Sequence, residues 1–323
     1  MNTNKKIYVA GHTGLVGSAL HRALSLQGYS RLLVRSHTEL DLSHSDNVNY
    51  FFNSERPDIV FLCAAKVGGI IANNTYPADF IYINTSIALN VIHASWQSNV
   101  KRLIFLGSSC IYPKHCPQPI KEDYLLSGSL ESTNRPYSIA KITGIEMCWS
   151  YNRQYGTRFL SVMPCNLYGI GDNYNLETSH VLPALIRKFH QAKTQQLKTV
   201  ELFGTGQPLR EFLFADDLAE ALLLLADLPD DHFNPLVRND NICPLINIGY
   251  GQDISIYDLS ILVKDIVGYT GSIVWNTKMP DGTPKKLLDI SKIKSLGWSP
   301  KTDLATGIRI VYNDFLSKYS NSI

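Results

Sequence analysis

The stretch GHTGLVG, residues 11–17, constrains this chain more than any other. It follows the apolar run KIYVA (6–10) directly and opens a helical pattern. Glycine allows the tight turn that joins such a strand to such a helix, and it lets the backbone come close to a bound group. The first amides of the helix then face that group with their positive ends, an arrangement suited to a pyrophosphate. Glycines at this spacing are common by chance. Their place between a strand and a helix, with a second strand RLLVR (31–35) following, makes Gly11, Gly14 and Gly17 a predicted dinucleotide loop.

The rest of the first half repeats the same rhythm. Apolar runs at 58–65, 102–109 and 158–169 read as strands, and the stretches 77–99 and 136–156 carry apolar residues at helical spacing. Strand and helix in alternation predict an α/β fold, a Rossmann-type doubly wound parallel sheet with helices on both faces. After Gly169 the rhythm loosens. The polar loop IGDNYNLETS precedes the helical pattern HVLPALIRKFHQAK, then VELFG, REFLF, the helix ADDLAEALLLLAD, a loop over 229–244, the strand LINIG and the helix ISIYDLSILVKDIVG. At 323 residues the chain exceeds one ordinary compact unit. The expected division is a dinucleotide-binding domain over 1–170, completed by segments within about 205–255, and a smaller α/β substrate-binding cap made mainly of 171–323. The tail from WNTKMPDGTP onward is assigned to the cap.

Several classes of protein fall away. Apolar residues make up 45% of the chain, charged ones 18%, and the formal charge is +2, which describes a soluble globular protein. Lys and Arg are scattered, so a small anionic ligand is expected and no nucleic acid. MNTNKK leads straight into IYVAG and no run of about 18 apolar residues occurs, so the expectation is a cytoplasmic protein without a membrane partner. The six cysteines, at 63, 110, 116, 148, 165 and 243, form no CxxC pair and read as free thiols. Cys110, His115 and Cys116 stand close together, but their spacing suits no standard metal site, and no metal is expected.

Chemistry concentrates at two further motifs. In LGSSCIYPK (106–114), Ser108 and Cys110 stand where a buried strand should end. Tyr137 and Lys141 open a helix four residues apart, on one face, where an ammonium can lower a phenol's pKa and reach ribose hydroxyls. Ser, Tyr and Lys together can polarise and protonate a carbonyl oxygen while hydride arrives at its carbon. The second strand ends in Arg35, Ser36 and His37 without an acidic residue. A cation there suits a 2′-phosphate, which makes NADP(H) the expected cofactor. On its own residues Cys110 could be a filler of the core, a ligand, a redox switch or a base.

The layout of GxxGxxG, strand-end serine and YxxxK resembles the extended short-chain dehydrogenase/reductase family. The runs AAKVGGI (64–70), NNTYPADFIY (73–82), LGSSCIYPK, NLYG (166–169), SHVLPAL (179–185), REFL (210–213) and PDGTP (280–284) are similar to the GDP-L-fucose synthases, the GDP-4-keto-6-deoxy-D-mannose 3,5-epimerase/4-reductases. They span nearly the whole chain. This resemblance implies that Cys110 removes protons beside the 4-keto group, that His180 returns them from the other face, and that Ser108, Tyr137 and Lys141 serve the ketone. It implies cofactor contacts at Gly11, His12, Thr13, Gly14, Leu15, Val16 and Gly17, at Arg35, Asp41, Leu42 and Ala64, at Leu106, Gly107 and Lys141, and at Pro164, Cys165, Asn166, Leu167 and His180. Implied substrate contacts are Ser109, Asn166, Lys188, Phe203, Arg210 and Asp281. Lys188 and Arg210 also suit a pyrophosphate by charge.

Departures from the family pattern bear on details. Thr13 stands where arginine is common, which removes a cation near a 2′-phosphate. Phe203 replaces a frequent tryptophan, Lys188 an arginine and Cys165 a threonine, and LFADD (213–217) replaces LHVDD. These leave the reaction class standing and open the identity of the deoxy sugar. The alternatives are a GDP-L-colitose-type synthase, acting on a 3-deoxy keto sugar, and a non-catalytic nucleotide-binding regulatory protein. Helices 77–99 and 136–156 are apolar on more than one face, and the resemblance implies that they pair in a homodimer.

Overall fold

A computed structural model describes residues 3–279 and 281–319; Pro280, the first residue of PDGTP, lies outside the described residues. In chain order the first half contains β1 (Ile7–Ala10), α1 (Leu15–Leu26), β2 (Leu32–Leu33), α2 (Ser45–Glu55), β3 (Ile59–Leu62), α3 (Ile70–Thr75), α4 (Pro77–Gln97), β4 (Arg102–Leu106), α5 (Arg135–Tyr155), β5 (Phe159–Pro164) and β6 (Asn166–Tyr168). The second half contains α6 (Val181–Thr194), β7 (Thr199–Phe203), β8 (Leu209–Phe214), α7 (Ala215–Asp227), α8 (Asp230–Val237), β9 (Leu245–Ile248), β10 (Asp253–Ser255), α9 (Ile256–Val267), β11 (Ser272–Asn276), β12 (Lys285–Lys286), α10 (Ser291–Ser295) and α11 (Leu304–Tyr319).

Six parallel strands form the main sheet in the order β2-β1-β3-β4-β5-β9. Every residue of β1, β3, β4, β5 and β9 is buried. That is why these strands read as unbroken apolar runs: helices cover both faces and leave no wet side to alternate toward. Helix α1 packs with α7, and α4 packs with α5 and α2. Strand order reverses at β1, whose neighbours are β2 on one side and β3 on the other, so a crevice opens beyond their carboxyl ends.

Several segments differ from expectation or carried none. The run 158–169 is two strands: Pro164 pairs with Ile248 in the main sheet, while Asn166–Tyr168 pair with Phe212–Phe214 of β8 in a second, mixed sheet. Both halves are apolar, so nothing in the local pattern marks the change at Cys165. Of 31–35 only Leu32 and Leu33 pair. Helix α2 is polar apart from a short apolar stripe, and its Phe51 and Phe52 rings pack on Tyr8. Helix α8 forms despite Pro235, because Phe233 is fully buried and Arg102 binds Asp230 at 2.7 Å; tertiary contacts override the breaker.

Apolar burial separates into two clusters. One surrounds the six-stranded sheet and includes Leu288, Ile290, Ile293 and Trp298 from the tail. The other is built from α6, α9, α11 and strands β7 and β8, with Phe189, Val263 and Phe315 among its buried residues. The tail therefore divides. Its first part returns to the main sheet, held by Asp289 N donating to Ile120 O at 2.8 Å, and its last helix joins the second cluster. The stretch Pro164–Leu167 and strand β8 run between the two.

Candidate active site

The glycine loop lies at the reversal point. Gly11 has φ +85°, and a Cβ there would stand 2.8 Å from the backbone of Ala64; a Cβ on Gly17 would meet Gly11 O at 2.1 Å. Neither position accepts a side chain, which keeps the backbone bare. Helix α1 starts at Leu15, and its N-cap Gly14 provides no side-chain acceptor for the first amides. Nearby, the buried His12 Nδ1 has no hydrogen-bond partner among the described residues. A bare backbone, uncapped helix amides and a ring nitrogen without an acceptor or donor fit a pyrophosphate group. Thr13 and Val16 lie on the same turn, and Ala64 closes it from the end of β3.

At the end of β2, Arg35 is engaged within the protein. It donates to Glu55 Oε1 at 3.0 Å and to Val34 O at 2.8 Å, and its guanidinium lies 5.3 Å from the Phe51 ring. The expected free cation for a 2′-phosphate is thus held by an acid from α2. Asp41 accepts from Ser43 and lies 3.5 Å from His44 Nε2, while Leu42 is buried with its carbonyl taken by Asn90.

Four candidate catalytic residues converge beyond β4. Leu106 ends the strand, and Gly107 has no room for a side chain because Met163 Cε would be 2.0 Å from its Cβ. The Ser108 hydroxyl accepts from Cys110 N at 3.3 Å and caps the short turn Ser109–Ile111, in which Ser109 is buried. Helix α5 begins after Asn134 with Pro136 in its first turn, as a helix start favours, and projects Tyr137 and Lys141 inward. Lys141 Nζ donates to Leu106 O at 2.8 Å and lies 5.7 Å from the Tyr137 ring centroid.

Electrostatics differ here from the simple YxxxK reading. Burial raises the Tyr137 phenol, neighbouring Cys110 adds to this, and only a hydrogen bond with Ser108 opposes it. Burial also brings the Lys141 ammonium down to about 8, with Cys63 acting in the other direction. The ammonium faces a carbonyl and an aromatic face, so the phenol keeps its proton and is suited to give it away.

His180 is the N-cap of α6. The loop before it is tied to the start of α3 by Gly69 N donating to Thr178 O at 3.2 Å, and a Cβ on Gly69 would meet Ser179 O at 3.3 Å. A Cβ on Gly68 would come 3.2 Å from the ring of Phe80, which packs edge-on against Tyr137 at 6.3 Å. Loss of hydration lowers the His180 imidazole, although the residue as a whole retains exposed surface.

The implied substrate residues form two groups. Lys188 Nζ lies 4.7 Å from the Phe203 ring and donates to Glu201 O at 3.2 Å; burial lowers it, and Glu201 works against that. Phe203 is 53% exposed, an open aromatic face. Arg210 sits where a Cβ on Gly282 would come 2.9 Å from its guanidinium, and its charge acts with both Cys110 and Asp281. Hydrogen bonds from Thr205, side chain first and backbone second, hold Asp281 below the usual carboxylate range. Between the strand pairings of β5 and β6, Cys165 is buried and Asn166 Nδ2 donates to Glu211 O at 2.9 Å, with Leu167 opposite Leu213.

Sequence reading missed Lys286, whose Nζ lies 3.6 Å from Cys110 Sγ, and Asn134, whose Nδ2 lies 3.4 Å from the same sulfur. The only signal was position: KK follows PDGTP, and Asn134 stands just ahead of YxxxK.

All six cysteines are free. No helix among the described residues is long and apolar enough to cross a membrane.

A doubly wound parallel sheet with a glycine cradle at its reversal point and a Ser-Tyr-Lys cluster beyond β4 defines the extended short-chain dehydrogenase/reductase class. The comparisons narrow it. The chain belongs to the NAD dependent epimerase/dehydratase family, whose model matches residues 7–239, and within it to the GDP-L-fucose synthases. It is 52% identical to GDP-L-fucose synthase 1 of Arabidopsis thaliana, over 98% of this chain and 94% of that protein. Identity to the GDP-L-fucose synthase of Escherichia coli K12 is 49%, covering 97% of each. GDP-L-colitose synthase of Yersinia pseudotuberculosis is 34% identical over 98% of this chain and 99% of that one. Among solved structures, MlghC, a GDP-mannoheptose C4 reductase from Campylobacter jejuni with NADP bound, superimposes with a TM-score of 0.87 at 42% identity, covering 98% of this chain and 99% of the other.

Proposed function

We propose that this chain converts GDP-4-keto-6-deoxy-D-mannose to GDP-L-fucose, by epimerisation at C3 and C5 followed by reduction of the C4 ketone with NADPH. The observation that carries the reading is the cluster beyond β4: a thiol that accepts two N–H donors stands beside a serine, a protonated phenol and a buried ammonium.

Ser108 and Tyr137 hydrogen-bond the C4 oxygen and stabilise the enolate that forms when a neighbouring carbon loses its proton. The Cys110 sulfur, its own thiol proton first lost to solvent, takes that proton as an S–H bond forms and the C–H pair moves toward the oxygen. His180 returns a proton from the opposite face, which inverts the centre. Desolvation lowers the His180 imidazole, so it releases readily a proton that it has taken up from solvent. A nicotinamide cofactor held by the Gly11–Gly17 loop would supply hydride to C4. Tyr137 then gives its proton to the C4 oxygen, and Lys141 steadies the phenolate left behind. Phe203 offers a face for the guanine, and Lys188 and Arg210 offer charge to the pyrophosphate.

Arg35 and the absence of an acid at the end of β2 favour NADPH, although the Glu55 pairing and Thr13 both weaken that preference. The chain acts in the cytoplasm, where its free thiols stay reduced. Residues 1–170 with β9 and α7 serve the cofactor, and most of 171–323 serves the sugar nucleotide. Two copies associate through α4 and α5, where Tyr82 at 70%, Leu89 at 42% and Tyr155 at 44% are exposed. Identities of 52% and 49% to GDP-L-fucose synthases, against 34% to the colitose enzyme, favour the 6-deoxy over the 3-deoxy sugar.

The test is incubation of purified protein and NADPH with each keto sugar in D2O, with products read by NMR. The expected result is GDP-L-fucose labelled at C3 and C5, and no labelling with Cys110→Ala. Label uptake by that variant at the parent rate removes Cys110 from the reaction. No NADPH oxidation with any GDP-keto sugar would support a regulatory role.

A further inference from the structure

The six thiols of this chain differ in what their sulfurs touch. Burial pushes Cys63, Cys148 and Cys243 up to about 12 and raises Cys116 and Cys165 as well. Cys165 Sγ donates to Asn166 O at 3.6 Å, and Cys243 Sγ donates to Glu146 Oε1 at 3.4 Å. These sulfurs are placed to keep their protons. Cys110 Sγ is instead an acceptor, approached by Asn134 Nδ2 at 3.4 Å and Lys286 Nζ at 3.6 Å.

The two neighbours do not carry equal weight. An amide can turn either its oxygen or its nitrogen toward a sulfur, so Asn134 is compatible with a thiol or a thiolate. An ammonium has donors only. Lys286 also comes from a separate element: β12 pairs with β8 in the register that sets Lys286 opposite Arg210. Lys286 from β12 and Arg210 from β8 thus bring positive charge to the sulfur, while α5 brings the neutral Tyr137. The other charged groups of the cleft are Lys114, Lys285 and Glu131. Lys285 is paired with Asp253 at 3.1 Å, and Glu131 is held by Thr133 and Asn134. The main chain of Cys110 is fixed as well, its carbonyl accepting from Ser138 Oγ at 2.9 Å.

We infer that Lys286 is the positioning residue for Cys110: its ammonium holds the sulfur as a thiolate, aimed into the cleft and ready to take a proton from carbon. The thiol proton leaves to solvent beforehand, so the S–H bond formed in the reaction takes only the proton lost by the sugar. This rests on the role proposed for Cys110 above.

The test measures the sulfur directly. Iodoacetamide alkylation of the full chain, without substrate, is followed by mass spectrometry of the tryptic peptide LIFLGSSCIYPK, which separates Cys110 from Cys116 because cleavage falls after Lys114. The thiolate is the reacting form. Lys286→Gln should slow this peptide's alkylation about tenfold at pH 7, with the deficit closing toward pH 10, and Lys286→Arg should restore most of the rate. Deuterium uptake by the sugar should fall by a similar factor, while the KM for NADPH stays unchanged. Alkylation of Lys286→Gln at the parent rate, or a deficit equal at every pH, overturns the inference. If alkylation follows the expected profile but the parent protein incorporates no deuterium, the proposed reaction fails and the Lys286–Cys110 pairing stands.

Discussion

Lys141 offers a quantitative test of whether this site is maintained at the expense of stability. The residue is 4% exposed, yet carries an ammonium whose pKa falls from 10.5 to about 8 through burial. A gap of that size corresponds to about 3 kcal/mol of destabilisation at pH 7, at 1.36 kcal/mol for each tenfold step. The burden is full below pH 8, where folded and unfolded chains both hold the proton. Between pH 8 and 10.5 the unfolded chain keeps a proton that the folded chain has released, so stability contributed by this group rises with pH. At pH 9.5 about 1.4 kcal/mol of the burden remains. Lys141→Met removes the charge and also the bond to Leu106 O, worth about 1–3 kcal/mol. Losing that bond moves measurements at both pH values in the same direction. Urea unfolding of parent and variant at pH 7 and pH 9.5 should therefore show the variant's relative advantage shrinking by about 2 kcal/mol at the higher pH. Ketone reduction should be lost at both. A stability difference that is the same at pH 7 and 9.5 would refute the reasoning, since it would mean that no charge is buried at this position.

Other perturbations probe the cradle, the cofactor preference and the core. Gly17→Ala places a Cβ against Gly11 O and should cost about 1–3 kcal/mol in stability and abolish NADPH binding in a fluorescence titration; unchanged binding would show that the loop does not hold the cofactor. Glu55→Gln frees Arg35 from its ion pair and should lower the KM for NADPH several-fold with little change for NADH; equal effects on both cofactors would detach Arg35 from the 2′-phosphate. Tyr112→Phe removes a 2.6 Å bond to Asn247 Oδ1, leaving that buried oxygen without its donor, and should cost about 1–3 kcal/mol in thermal unfolding without changing kcat; no loss of stability would mean the bond contributes nothing.

Much of the fold was legible because the chain's strongest signals are local. Unbroken apolar runs marked the strands that are buried on both faces, and helical spacing placed α4 and α5 to within a residue or two. The segments that misled are those in which long-range contacts override local pattern. Pro235 argues against α8, but Phe233 and Asp230 find partners on the sheet side and hold the helix anyway. The run 158–169 has one composition and two destinations, and no residue in it reports which sheet lies ahead. Site residues show the same contrast. Ser108, Tyr137 and Lys141 were readable from their spacing, whereas Lys286 is 176 residues from Cys110 and reaches it only through β12 pairing with β8.

By itself the sequence determined the sheet class, the glycine loop and the kinds of chemical group available, because apolar periodicity, backbone freedom and spacing along a helix act over a few residues. Only the tertiary structure decided how those groups are charged and partnered. Burial brings the Lys141 ammonium down and keeps the proton on the Tyr137 phenol, while long-range packing ties Arg35 to Glu55 and sets Lys286 3.6 Å from the Cys110 sulfur. These depend on which distant residues exclude water from a group and which charges remain near it, and no stretch of the chain carries that information alone.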